Sequence, residues 1–181
     1  TSIMGGIFSA PTTLADRTFQ KSLHAALMIW SWGVMIPGTV MLASLRSKEN
    51  VALGAPGPFW FFAHRSLAFA GVSVAFAATL IGRAVATGTQ KATAHRALGY
   101  ATMLLGLAQP IIAYYRPVTA VEKERTGWLK LHRYLGWLAC VLAATNIHLG
   151  IRMWDPNNAI STAYTGGLVS AGVLALSWNY K

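Results

Sequence analysis

Histidines stand near the starts of four long apolar segments of this 181-residue chain. Successive membrane-spanning segments run in opposite directions. The first and third therefore start at one membrane face, here called face A, and the second and fourth at the other, face B. The histidines then form two facing pairs, His24 with His95 on face A and His64 with His132 on face B. Two neutral imidazoles that face one another inside a helical bundle are the axial ligands of a low-spin b-type haem. The pattern predicts two haem b groups whose irons are ligated by these pairs.

The segments that must position these histidines are defined by the absence of charge. The five longest intervals without Asp, Glu, Lys or Arg are each close to or above the roughly 20 apolar residues that cross the hydrocarbon core. The sequence therefore predicts an all-α membrane protein of five transmembrane helices, of which the first four form a dihaem-binding four-helix bundle. We interpret residues 1–20 as an N-terminal linker or the remnant of a longer chain, and residues 21–181 as one transmembrane domain. The charge-free intervals are residues 22–45, 66–82, 97–115, 134–151 and 156–180.

Composition and charge are typical of a protein embedded in lipid. Hydrophobic residues make up 54% of the chain and charged residues 11%, and the Trp and Tyr residues suit the aromatic belts of membrane interfaces. The 15 basic residues outnumber the 5 acidic ones, but they are scattered at the ends of the spans, where long side chains reach the headgroups. We therefore expect membrane lipid, and no nucleic acid, as a partner. Nine of the 15 basic residues fall on face B. This bias predicts a C-terminus on the cytoplasmic side, or on the matrix or stromal side of an organelle.

Small and basic residues accompany the histidines at fixed offsets. Gly99 and Gly136 each follow a histidine by four residues, on the same helix face, and leave room for a flat porphyrin beside the helix. Close packing of transmembrane helices is the alternative reading of such glycines. An arginine directly follows three of the four histidines, where its charge would offset a haem propionate, or where it simply extends to the headgroups. These arginines are Arg65, Arg96 and Arg133.

Two further residues lie in the fourth apolar segment. His148 follows His132 by sixteen residues, which is ~24 Å along a helix, so it reaches the level of face A while pointing largely away from the other histidines. It is predicted to hydrogen-bond a propionate, a carbonyl or a quinone-like partner, or else to displace a face A ligand. Cys140 is the single thiol, so the chain contains no intrachain disulfide.

The ordered motifs resemble the transmembrane core of the cytochrome b561 family, and most closely the form that is joined to DOMON domains. The resemblance covers about residues 21–178 and lies in the whole ordered set rather than in any one motif. The matching strings are HAALMIWSWGVMIPG from His24, WFFAH ending at His64, HRALG from His95 with Gln109 and Arg116-Pro117 downstream, and RTGWLKLHRYLG from Arg125 with Asn146-Ile147 and Gly150.

The resemblance implies a dihaem protein that passes electrons across a membrane. In this family the donor is commonly ascorbate on the cytoplasmic side, and the acceptor is ferric iron or monodehydroascorbate radical on the other. We expect a small-molecule or protein donor and acceptor and no catalytic nucleophile or acid, because the haem supplies the redox chemistry. Two alternatives stay open: a quinone-linked cytochrome b anchor of a partner oxidoreductase, and an accessory structural subunit of a large membrane complex. Assembly as a homodimer or within such a complex is likewise left open.

Overall fold

Four long helices account for most of the described structure. In the computed structural model they are α1 (Leu14–Ala43), α2 (Phe59–Ala84), α3 (Gln90–Tyr114) and α4 (Glu122–Trp154). No strand occurs among the described residues, so the predicted all-α class is confirmed for this part of the chain. The structure describes residues 7–43, 59–86, 90–115, 122–154, 159–160, 162–165 and 167.

Each of the four helices contains a stretch that is long and apolar enough to cross a membrane. Only 17% to 22% of each such stretch is buried inside the protein, and large apolar side chains such as Phe69, Leu104 and Tyr134 point outward. An outward apolar face is expected where lipid replaces water as the solvent. The first four predicted spans are thus found as helices, whereas the fifth, residues 156–180, lies mostly outside the described residues.

Helix α1 begins with a complete capping box. The Thr13 hydroxyl accepts the N–H of Asp16, and the Asp16 carboxylate accepts the N–H of Thr13, which satisfies two of the free donors of the first turn. One turn further on, the buried Gln20 amide donates to the carbonyls of Ile7 and Ser9 at 3.2 and 3.0 Å. The helix therefore starts within the segment that was interpreted as a linker, and Gln20 ties the preceding residues to it.

The middle of α1 is a π-helix over Ile29–Met35, shown by the Ile36 N–H bonding to the Ser31 carbonyl five residues earlier. Pro37 lies two residues beyond its end; a proline has no N–H to donate, and in a regular α-helix its ring would crowd the carbonyl four residues earlier, that of Gly33. The wider turn absorbs that conflict. It also aims the fully buried Ser31 hydroxyl at α2, where it donates to the Gly71 carbonyl at 2.7 Å.

The helices pack as two antiparallel hairpins, α1 with α2 and α3 with α4, which also contact each other. The centre of the bundle combines one large ring with small neighbours. A Cβ on Gly106 would lie 2.9 Å from the Trp32 ring, and one on Gly71 would lie 2.8 Å from Ile36, so both positions need glycine for this close approach. The core consists of Trp32, Ile36, Ala75, Met103, Ala139, Ala143 and Ile147.

Candidate haem-binding site

The four predicted ligand histidines meet in the two predicted pairs. The ring centres of His24 and His95 are 6.1 Å apart, with the ring planes at 88°. Those of His64 and His132 are 6.4 Å apart, with the planes at 70°. All four side chains are partly buried. The up-and-down order of the helices thus brings together side chains from different hairpins at each end of the bundle.

These separations fit a single metal ion between two imidazoles. A metal–imidazole bond of about 2.0 Å plus about 1.1 Å from the nitrogen to the ring centre gives ring centres roughly 6.2 Å apart when the iron lies midway. Both pairs lie within a few tenths of an ångström of that value. Among the described residues no three or more His, Cys, Asp or Glu side chains converge. Two protein ligands per centre suit a haem, because the macrocycle supplies the other four nitrogens.

Three of the histidines donate their Nδ1 hydrogen to a backbone carbonyl of the other helix in the same hairpin. Since a carbonyl oxygen only accepts, the hydrogen must be on Nδ1, and the lone pair of Nε2 is left available for a metal. The hydrogen bond also fixes the orientation of each ring. The donor and acceptor residues are His24 and Ala78 at 2.7 Å, His64 and Thr39 at 2.8 Å, and His95 and Asn146 at 3.1 Å.

His132 has different neighbours. Its ring stacks on that of Trp128, with centres 5.4 Å apart and planes at 5°, and the Trp128 indole N–H donates to the Ile112 carbonyl of α3 at 2.9 Å. The side-chain amide of Gln109 lies 2.8 Å from Nδ1 of His132. The ring of His132 is therefore oriented by the side chains of Trp128 and Gln109, whereas the rings of the other three histidines hydrogen-bond backbone carbonyls.

A cavity of about 1080 Å³ surrounds the face A pair and is lined by all four helices. This volume is slightly above the ~300–1,000 Å³ that is usual for small-molecule pockets, so there is room for a porphyrin-sized group beside His24 and His95. The cations that line it are suited to two propionates at the level where lipid gives way to water. They are Lys21, Arg83, Arg96 and Arg152.

Two glycines that the sequence did not predict let the rings of His24 and His95 pack closely against the neighbouring helices that carry these glycines. A Cβ on Gly82 would lie 2.7 Å from the His24 ring, and a Cβ on Gly150 would lie 3.1 Å from the His95 ring. Gly150 stood within a matching motif, but neither glycine follows its histidine on the same helix. Only the contact between neighbouring helices reveals their role.

Gly82→Ala tests that role. We expect the added methyl group to displace the His24 ring from the Ala78 carbonyl and to weaken haem binding on face A by about 10- to 100-fold, the usual cost of disturbing the support of a metal ligand. Haem content of the purified variant, titrated with added haemin, measures the loss. Gly127→Ala is the matched control, since a Cβ there has nothing within 4 Å; equal haem affinity in the two variants would show that Gly82 makes no room for a ligand.

Comparison with known proteins identifies relatives of this chain by sequence. Two cytochrome b561 and DOMON domain-containing proteins of Arabidopsis thaliana are each 30% identical to this chain, over 83% and 89% of its length. The predicted resemblance to the cytochrome b561 family is confirmed. A third relative of that plant, a cytochrome b561, DM13 and DOMON domain-containing protein, is 26% identical over 80% of the chain. The chain spans 35% and 39% of the first two relatives and 16% of the third. No family model and no solved structure matches it.

The cytochrome b561 relatives imply haem b as the cofactor, and with the four apolar helices they indicate a multi-pass integral membrane protein. Of the predicted haem-contacting residues, Arg96 and Gly99 line the face A cavity. Gly99 also lets α4 approach, because a Cβ there would lie 3.0 Å from the Asn146 amide nitrogen. A Cβ on Gly136 would lie 3.7 Å from the Gln109 side chain, an ordinary contact distance. The propionate and porphyrin contacts themselves stay predictions.

Two other arginines of this cytochrome b561-like chain are predicted at the face B haem, which the face A cavity does not test. Arg65 is exposed and lies over the Phe61 ring, 5.9 Å from its centre, and Arg133 is exposed on α4. His148 does not line the cavity; its Nδ1 lies 2.9 Å from the Thr165 hydroxyl, with which it hydrogen-bonds. The predicted hydrogen bond of His148 to a propionate, a carbonyl or a quinone-like partner stays a prediction.

Proposed function

We propose that this chain is a dihaem electron-transfer domain that moves electrons between a donor and an acceptor on opposite faces of a membrane. The observation that carries the proposal is the pair of histidine sites, each with the ring separation of a six-coordinate haem. The two levels are far apart, because His24 and Thr39, which supports His64, are separated by ~22 Å along α1. That distance covers most of the ~30 Å hydrocarbon core.

The proposed roles of the protein are ligation, orientation and exclusion of water. His24 and His95 would hold the iron of one haem and His64 and His132 that of the other, each through Nε2. The backbone carbonyls that accept Nδ1–H prevent the rings from turning and raise their basicity as ligands. Haem b, when bound, supplies the reversible one-electron chemistry of its iron. Between the two levels, the Trp32 ring and the small side chains around it keep the interior dry.

The electron donors and acceptors are proposed by chemical class. The cationic side chains at the face A cavity favour small anions or an acidic protein surface as reaction partners there. An ascorbate-like reductant and a ferric or monodehydroascorbate-like acceptor agree with the cytochrome b561 resemblance. The excess of basic residues on face B supports a cytoplasmic, matrix or stromal position for that face.

Haem content of the native chain tests the proposal. We expect the protein purified in mild detergent to contain about two haem b per chain, because each histidine pair provides a complete set of axial ligands. A pyridine haemochrome assay, together with a quantitative protein assay, measures the ratio. A chain that takes up no haem during expression or on titration with haemin would instead be a structural subunit, with histidines that only join helices.

A further inference from the structure

The environment of His132 breaks a pattern that the other three ligand candidates share. Each of those donates Nδ1–H to a backbone carbonyl, whereas Nδ1 of His132 lies 2.8 Å from the side-chain amide of Gln109. The same end of that amide is 3.1 Å from the His132 carbonyl, and its other end is 3.3 Å from the Gly136 nitrogen. On α3, the backbone carbonyl of Ile112 already accepts a hydrogen bond from the indole N–H of Trp128.

The Gln109 amide has two orientations, and each requires a different tautomer of His132. With the nitrogen toward His132, the amide donates to the His132 carbonyl and to the Nδ1 lone pair while its oxygen accepts the Gly136 N–H, so this orientation satisfies every contact of the haem-free chain and places the ring hydrogen on Nε2. With the oxygen toward His132, the amide accepts Nδ1–H and the Nε2 lone pair is free, but the oxygen then faces the His132 carbonyl and the nitrogen faces the Gly136 N–H, so ligation through Nε2 requires the amide to turn over at that cost. Only the second arrangement is compatible with ligation through Nε2.

We infer that Gln109 is the positioning residue for His132: its amide oxygen accepts Nδ1–H of the ligating ring and sets how strongly that ring donates electrons to its iron. The inference rests on the proposed haem ligation. A stronger acceptor gives the imidazole more anionic character, which stabilises ferric over ferrous iron and lowers the midpoint potential; removal of the acceptor does the reverse. Because this acceptor is a side chain, substitution can tune the face B centre alone.

Two variants with opposite expected effects test the inference. Gln109→Glu places a carboxylate against Nδ1–H and should lower the midpoint potential of the face B haem, and Gln109→Leu removes the acceptor at similar size and should raise it. We expect each change to alter the ferric-to-ferrous ratio at a fixed applied potential by about tenfold, which is ~59 mV for a one-electron couple. Thr145→Val is the control, because that exposed hydroxyl on α4 donates only to the Val141 carbonyl of its own helix.

Spectroelectrochemical titration of each variant gives the readout. The titrations are made in the full chain and again in a His24→Ala background, where the face B haem titrates alone. Opposite shifts of that haem, with the face A haem and Thr145→Val unchanged, support the assignment. Shifts of the same sign, or an unchanged face B potential in a chain that holds two haems, overturn it and leave the proposed function intact. A native chain without haem overturns both.

Discussion

His132→Ala is expected to remove the face B haem and to leave the face A haem in place, so that haem content falls from about two per chain to about one. The loss is specific because His64, the partner of His132, lies at the opposite end of the bundle from His24 and His95. The face A rings keep their own support, the Ala78 and Asn146 carbonyls. The pyridine haemochrome assay and the reduced-minus-oxidised spectrum of the purified variant measure the remaining haem.

His24→Ala is the complementary variant, and the two together decide the pairing. It should leave one haem with the potential of the centre that His132→Ala removes, so the spectra of the two variants should add up to that of the native protein. His148→Ala is a control, since His148 bonds the Thr165 hydroxyl and does not line the cavity. Loss of both haems from a still-helical His132→Ala protein would contradict the pairing of ligands on opposite faces.

The positions of the ligand candidates were predictable because two simple signals define them. Absence of charge over a membrane thickness marks a span, and alternation of direction decides which histidines share a face. Both signals are local in the sequence, and the structure brings His24 to His95 and His64 to His132 as they require. The ends of the helices were less predictable, because α1 begins at Leu14, before the charge-free interval starts.

The support of the ligands could not be predicted in the same way. The acceptors for His24 and His64 are main-chain atoms of Ala78 and Thr39, and a backbone carbonyl leaves no trace in residue type. Gly82 is adjacent to a histidine of another helix, so its role depends on interhelical register. The π-helix between His24 and Thr39 also turns the later faces of α1 relative to the earlier ones, and hydrophobic periodicity gives no indication of one extra residue in a turn. Gln109 was noticed only as part of a motif.

The second large effect concerns transport of electrons across a bilayer. Vesicles that contain the native chain and a trapped, membrane-impermeant oxidant should reduce that oxidant when ascorbate is added outside. The two histidine levels, ~22 Å apart along α1, together bridge most of the hydrocarbon core. With one ligand pair broken, about 20 Å of apolar protein and lipid separates the remaining centre from one of the two aqueous phases. We therefore expect His24→Ala and His132→Ala each to slow the trapped reaction by about tenfold or more.

The comparison with a reaction on the outside of the vesicle makes this experiment specific. In vesicles that contain both orientations of the chain, the copies whose remaining haem faces outward should still be reduced by external dithionite in each variant, because the intact pair keeps its axial ligands. A protein that only anchors a partner oxidoreductase would behave differently: its native form would hold reducible haem, yet the trapped oxidant would stay oxidised in native and variant vesicles alike. Equal trapped rates in native and single-haem vesicles, after subtraction of the rate in protein-free vesicles, would show that electrons do not pass through both histidine pairs. The ratio of trapped to external rates therefore distinguishes a transmembrane path from a cytochrome that exchanges electrons at one face.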